Sequence, residues 1–382
     1  MIPVCHSVLA PYEGIIPYLQ EIDRNQVYGN DGPLLLEFEK RLCQQFDLNT
    51  GDLLCVGNGT VALQIALLAL VEDTANSLCL MPSWTFTASP AAAISAGLTP
   101  YFVDVDTETW ALTPEIAEAA LKNCPGKVGC VMVVSPFGYP IPIKEWDKFT
   151  EKTGIPVVVD GAGMFVEISC ANTPVVVSLH TTKCFGMGEG GFIASRDQGL
   201  MKEIASRRNF GMMGSERLSY FIGTNAKLSE YSAAVGLAQL DYWPTKFKIL
   251  AEKANLYKQL LDQIQGVRLL PGYGKNWFGG NLIIEFEKPI AKEASEFLHL
   301  NNIETKFWWR QGCHKQEAYK NFGSDPLPNT EILAASTLGI PFSVTLSNED
   351  IVYVCEVLEQ FLKPSLSSSD LFRGSWILRS SP

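Results

Sequence analysis

Between Asp52 and Ser195 the chain switches repeatedly between two periods, and this alternation constrains the fold more than any other feature. Short apolar runs occur at Leu53–Val56, Leu78–Met81, Pro100–Val103, Val128–Ser135, Pro156–Asp160, Val175–Leu179 and Gly191–Ser195. Several are unbroken Val, Ile or Cys runs, the pattern of strands buried on both faces. Helical patterns fill the gaps at Val61–Val71, Ala88–Ala96, Pro114–Lys122 and Ile143–Thr153, and Thr113 before Pro114 reads as a capped helix start. The spacing predicts an α/β domain on a largely parallel sheet. Past Lys227 the texture changes. Ser229–Leu240 and Phe247–Ile264 read as long helices leading to a smaller domain, with a strand at Asn281–Phe286 and helices at Ile290–Leu300, Asn329–Leu338 and Asn348–Phe361. The expected division is 1–245 for the large domain with its N-terminal segment, 246–364 for the small one, and 365–382 as a loose Ser-rich tail.

Composition narrows the partners. The chain has 382 residues, 47% of them hydrophobic, enough for a large core and a second domain. Lys and Arg number 30 against 41 Asp and Glu, a net charge of −11, and no dense basic stripe occurs, so nucleic acid is not an expected partner. The longest apolar stretch, Val61 to Val71, is interrupted by Gln64 and is too short to cross a bilayer. Met1-Ile2-Pro3-Val4 lacks the basic and apolar regions of a secretion signal, so a cytoplasmic enzyme without a membrane partner is expected. The ten Cys residues lack a C-x-x-C pair and only four His are present, which favours free thiols and no metal site. An anionic ligand therefore needs local groups, and these belong in loops.

Ligands of open α/β sheets bind at the carboxyl ends of strands, where three segments stand out. Gly57-Asn58-Gly59-Thr60 follows the first strand and opens a helix. Its glycines admit a phosphate close to backbone N–H groups, with Thr60 as a further donor or simply as the helix cap. Asp160 ends Val157-Val158-Val159, either as a turn acceptor or as the partner of a pyridine nitrogen. Ser178-Leu179-His180-Thr181-Thr182-Lys183 leaves a buried strand and enters a turn with Gly186, Gly188, Gly190 and Gly191. Lys183 is a solvated loop lysine or, with burial lowering its pKa, a group that condenses with an aldehyde. Ser178 could donate to a phosphate, and His180, with no acid evident beside it, reads as a satisfied core imidazole.

The order of these segments resembles the DegT/DnrJ/EryC1/StrS family of pyridoxal phosphate (PLP) enzymes, the nucleotide-sugar aminotransferases. Further matching blocks are Gly29-Asn30-Asp31-Gly32-Pro33, Pro82-Ser83-Trp84-Thr85-Phe86, Gly188-Glu189-Gly190-Gly191, Arg208-Asn209-Phe210-Gly211, Gly223 to Glu230 and Ala233 to Leu240. The resemblance covers about Ile2 to Leu362. It implies the fold-type I transferase architecture, with PLP and pyridoxamine phosphate as the alternating cofactor forms. Lys183 would carry the cofactor and shuttle the proton, and Asp160 would pair with the pyridine nitrogen. Phe86 would stack on the ring, while Gly59, Thr60 and Ser178 would hold the phosphate. Asn225 would reach the phosphate of a neighbouring subunit's cofactor in a homodimer. One departure is visible: the family usually reads Asp-Ala-Ala-Gln or Asp-Ala-Ala-His, and the last residue supports the cofactor's phenolic oxygen. Here the segment is Asp160-Gly161-Ala162-Gly163, so another group or water is expected to replace that side chain.

Related dehydratases carry His where Lys183 stands, so the resemblance implies transamination rather than deoxygenation. The donor it implies is L-glutamate, with glutamine as runner-up, and the acceptor is most like dTDP-4-keto-6-deoxyglucose, aminated at C4. C3 amination, a GDP- or UDP-linked sugar or an aminocyclitol are the alternatives. Trp308, His314 and Tyr319 stand in the family's sugar-nucleotide region, where they are either substrate contacts or packing residues. A decorated natural product or an O-antigen would be the product's destination. A rival of another class is a non-catalytic PLP- or sugar-nucleotide-binding homologue, which Gly163 favours and Lys183 with Asp160 disfavours.

Overall fold

The structure is a computed structural model that describes residues 1–363, so the tail expected at 365–382 lies outside the described residues. Two helices come first, α1 (Tyr12–Asn25) and α2 (Pro33–Gln45). The alternating region then runs β1 (Leu53–Val56), α3 (Gly59–Leu70), β2 (Leu78–Pro82), α4 (Ala88–Ser95), β3 (Thr99–Val103), α5 (Pro114–Asn123), β4 (Val128–Val134), α6 (Ile143–Thr153), β5 (Val157–Asp160), β6 (Val175–Ser178), β7 (Gly191–Ala194) and α7 (Gln198–Arg208). The seven strands lie in the order β1-β7-β6-β5-β4-β2-β3. All neighbours are parallel except β7, which pairs antiparallel with both β1 and β6. The largely parallel sheet expected from the Val-rich runs is present. Side chains from successive strand positions feed two cores, one on each face: Val157, Val159, Val175 and Val177 on one side, Val158, Val176, Cys79 and Met132 on the other.

A two-stranded ribbon, β8 (Met212–Met213) and β9 (Leu218–Ser219), precedes the longest helix, α8 (Glu230–Leu261). The sequence divides this region into two helices near 245, but α8 runs unbroken through Pro244. Proline removes one intrahelical hydrogen bond, a loss that packing offsets. Leu237, Leu240 and Trp243 are buried before it, and Leu250, Ala254 and Tyr257 after it. The smaller unit adds β10 (Val267–Arg268), β11 (Leu282–Phe286), α9 (Ala291–Leu300), α10 (Pro328–Ser336), β12 (Thr337–Ile340) and α11 (Asn348–Leu362), its strands forming an antiparallel sheet β10-β11-β12. The helix expected to reach Leu338 stops at Ser336, because Thr337–Ile340 pairs with β11. Tertiary pairing here overrides helical patterning. The N-terminal strand-like segment ties the two units together: Ile2 bridges Ile303, Phe342 donates to the Val4 carbonyl, and buried Lys246 of α8 donates to the Val8 carbonyl at 2.8 Å.

Candidate active site

Three strand ends converge as the sequence expects. Asp160 closes β5 beside Val134 of β4, and its carboxylate is buried at 5% exposure. Ser89 in the first turn of α4 donates to one carboxylate oxygen at 2.6 Å, and the Ala162 amide donates to the other at 3.2 Å. Thr85 Oγ1 and Ser89 Oγ are 2.7 Å apart, which fixes the Ser89 hydroxyl. Burial pushes the Asp160 carboxyl above its ordinary value, while Ser89, the Lys183 charge and the Ala162 amide pull the other way. Lys183 leaves β6 through a tight turn in which its amide donates to the His180 carbonyl at 2.8 Å. Desolvation lowers its pKa below 10.5, and the Asp160 charge opposes this. Among the described residues the Lys183 amine makes no ion pair and no side-chain hydrogen bond, so it is neither locked nor neutralised by a neighbour.

The phosphate-binding candidates also meet. Gly59 and Ser178 face one another so closely that a Cβ on Gly59 would stand 3.1 Å from Ser178 Cβ. The helix cap is Asn58 rather than Thr60: the Asn58 side chain accepts from the Val61 amide at 2.8 Å, which satisfies the third amide of α3. Among the described residues nothing accepts from the Gly59 or Thr60 amides. At the positive end of α3, with Gly59 buried and Thr60 exposed, these two suit an anion. His180 differs from its sequence reading. Rather than a core imidazole without an acid, it is partly exposed, with Nδ1 2.9 Å from Thr182 Oγ1 and Nε2 3.6 Å from Glu189 in the glycine turn.

Phe86 is 57% exposed, and the cleft of about 560 Å³ beside it is lined by Trp308, Trp309, Arg310 and Lys315 among others. Trp308 borders this cleft. His314 and Tyr319 instead tie the 308–319 segment to the loop between β2 and α4 that carries Phe86: His314 Nδ1 lies 2.7 Å from Ser83 Oγ, and Tyr319 Oη lies 2.8 Å from Thr87 Oγ1. Burial, then the Lys315 charge, lowers the His314 pKa and favours the neutral ring, while Glu331 opposes this. Asn225 is exposed on the loop before α8, away from the Lys183 cluster in sequence and paired by a bridge with Asn209. Sequence reasoning missed Ser89, Thr85 and Trp309. No spacing signal marks them, because β2 is separated from β5 by β4 and the contacts exist only once the sheet forms.

A buried carboxylate, an unpaired lysine one strand away and free helix-end amides above a Gly–Ser contact together fit a planar cationic ring with an aldehyde and a phosphate. Comparison with known proteins agrees. Residues 12–359 match the model of the DegT/DnrJ/EryC1/StrS aminotransferase family. The chain belongs to that family. It is a PLP-dependent sugar aminotransferase. It is 28% identical to the dTDP-4-amino-4,6-dideoxy-D-glucose transaminase of Shigella dysenteriae over 363 residues, covering 92% of this chain and 96% of that one. A Bacillus cereus structure described as a PLP-dependent aminotransferase superposes with a TM-score of 0.87 at 28% identity, covering 94% and 99% of the two chains. The structure of DesI, solved in the presence of its TDP-sugar product, gives a TM-score of 0.83 at 28% identity, with 94% and 92% covered. Among the described residues no helix of this aminotransferase is long and apolar enough to cross a membrane.

Proposed function

We propose that this aminotransferase moves an amino group from L-glutamate to C4 of dTDP-4-keto-6-deoxyglucose, giving dTDP-4-amino-4,6-dideoxyglucose. The observation that carries the reading is the pairing of an unneutralised, desolvated Lys183 with buried Asp160, next to a cleft whose rim holds Arg310 and Lys315. Arg310, with Lys315 that also pairs with Glu331 at 2.9 Å, suits a nucleotide diphosphate, and Trp308 offers a flat wall for a base or sugar. The similarity to the Shigella transaminase over nearly the whole of both chains and to DesI favours a dTDP-linked sugar.

Bound PLP supplies an electrophilic aldehyde and an electron sink. Asp160 holds the proton of the pyridine nitrogen, and Ser89 holds Asp160. The amides of Gly59 and Thr60, with Ser178, take the phosphate, and exposed Phe86 covers a ring face. Lys183 Nζ removes the proton from the α-carbon of glutamate and later delivers one to C4 of the sugar. Desolvation lowers its pKa, which favours the neutral amine that the first task requires.

The working form is a homodimer in which Asn225 reaches the partner's phosphate. Supporting this, the loop region around Asn225 exposes Phe210, Leu218, Tyr220 and Ile222, an apolar surface that a monomer would leave in water. The acceptor is tested by incubating enzyme, ¹⁵N-glutamate and dTDP-4-keto-6-deoxyglucose. One ¹⁵N atom located at C4 by NMR is expected; no label in the sugar, or label at C3, overturns the substrate assignment.

A further inference from the structure

Helix α8 buries a stripe of side chains, Gln239, Trp243, Leu250, Ala254 and Tyr257, and Lys246 stands in the same stripe at 4% exposure. Spacing by three and four residues makes 246 a core position, where a charge is costly unless it is paired. An ammonium carries three donors, and here one is used, on the Val8 carbonyl at 2.8 Å. Among the described residues no other atom accepts from Lys246, and no Asp or Glu pairs with it. Lys253, two turns further along the same helix, shows the contrast: its amine is spread over the Ser343, Val344 and Leu346 carbonyls. Cys184 lies close enough to feel the Lys246 charge but is no counterion, because burial pushes its thiol up to about 11 although Lys246 pulls it down. Burial in turn lowers the Lys246 pKa, as expected of an amine without a partner charge. The transfer chemistry at Asp160 and Lys183 gives this buried amine no task.

A cavity of about 30 Å³ lies beside it. Besides α8, three segments wall it: residues 5–8 of the N-terminal segment, 181–184 of the lysine turn and 342–344 of the small unit. Hydroxyls come from Ser7, Thr181, Thr182 and Ser343, and Lys246 shares the lining with His6 and Lys183. Among the described residues no Asp or Glu lines it, on a chain with 41 of them. The walls are fixed. Lys253 holds the 343–346 loop, and the small unit packs so tightly on the lysine turn that a Cβ on Gly280 would stand 2.8 Å from the Cys184 nitrogen. Only the N-terminal wall is exposed, at His6 and Ser7.

We propose that this cavity binds one small monovalent anion of the chloride class, with Lys246 as its charged ligand and the surrounding hydroxyls as further donors. About 30 Å³ admits one or two water-sized species and excludes an amino acid, a sugar or a phosphate ester. Water would occupy the unused donors but would leave the charge uncompensated, whereas an anion does both. The site is distinct from the phosphate seat, since neither Gly59 nor Thr60 lines it. The bound ion would join the N-terminal segment, the main chain of the Lys183 turn and the small unit. The inference is independent of which sugar is aminated.

Melting of the full chain with PLP present, in sodium chloride and in sodium gluconate of equal ionic strength, tests it, because gluconate is too large to enter. Wild type should melt about 2 °C higher in chloride, with an effect that saturates, and K246M should melt equally in the two salts. Equal melting of wild type in both salts overturns the proposal. A chloride effect that persists in K246M places the ion elsewhere and overturns it too. Wild-type crystals soaked in bromide should show an anomalous peak within about 3.5 Å of Lys246 Nζ. No peak there means that water fills the cavity and contradicts the assignment. Should K246M not fold, the bromide position in wild type decides alone. Both readouts hold whether or not PLP is retained, so their failure is separate from failure of the cofactor assignment, which absorbance reports.

Discussion

Burial disfavours the charged forms of both Lys183 and Asp160. Desolvation lowers the lysine's pKa, so a neutral, nucleophilic fraction exists below the ordinary value of 10.5. Capture of PLP by cofactor-free protein should therefore speed up with pH and level off below 10.5 in stopped-flow absorbance; a plateau only above that value would place Lys183 in water. For Asp160 the sign runs oppositely. Its folded-state value is raised by burial, so its contribution to stability is present at low pH and is lost as pH rises through the raised value. Burial opposes the charged form, and Asp160→Asn keeps the shape while removing the ionisable group. The cofactor-free variant should melt no lower than wild type at pH 7, while turnover falls on the order of a hundredfold or more. A lower melting temperature combined with retained turnover would show that Asp160 is structural.

At the level of elements, the site depends on helix starts and turns whose chemistry is local, and these were legible in the sequence. The Gly57–Thr60 turn, Asp160 at a strand tip and Lys183 in a glycine turn are each carried by a few adjacent residues. The cap proved to be Asn58, two positions before the Thr60 that the residue pattern suggested. Asn58→Ala should destabilise the protein by about 1 kcal/mol in denaturant melts, the usual worth of such a cap; no change would mean that water replaces it. What the sequence could not show is every contact that sheet order creates. Ser89 reaches Asp160 across 71 positions, and His314 reaches Ser83 across 231. Gly163 is of this kind too: a Cβ there would stand 2.8 Å from the Gly138 nitrogen, and the glycine reads only as a missing side chain until Gly138 is seen against it. The continuity of α8 through Pro244 was hidden for a related reason: a local breaker was outweighed by buried residues on both sides.

For the whole molecule, the proposed cofactor cluster and the proposed dimer surface are carried by different segments. The carboxyl ends of β1, β5 and β6 supply the candidate cofactor cluster, the 308–319 segment of the small unit walls the cleft, and the segment 209–229 before α8 exposes apolar side chains. Glu230 fixes that loop to α2, accepting from the Leu34 and Leu35 amides at 2.9 Å each, with its carboxylate at the positive end of the helix. Ile222 is 79% exposed. If the loop is the dimer surface, Ile222→Glu should shift the mass in light scattering from dimer towards monomer and loosen PLP. An unchanged dimer would move the interface elsewhere. The claim on which everything else stands is that Lys183 carries PLP and transfers nitrogen with it. The direct measurement is the absorbance spectrum of PLP-loaded wild type and Lys183→Ala, recorded before and after L-glutamate. Wild type should show a visible band that bleaches with glutamate and returns on adding dTDP-4-keto-6-deoxyglucose, and the variant should lack the lysine-bound band. The same band in Lys183→Ala, or none in wild type, would contradict the account.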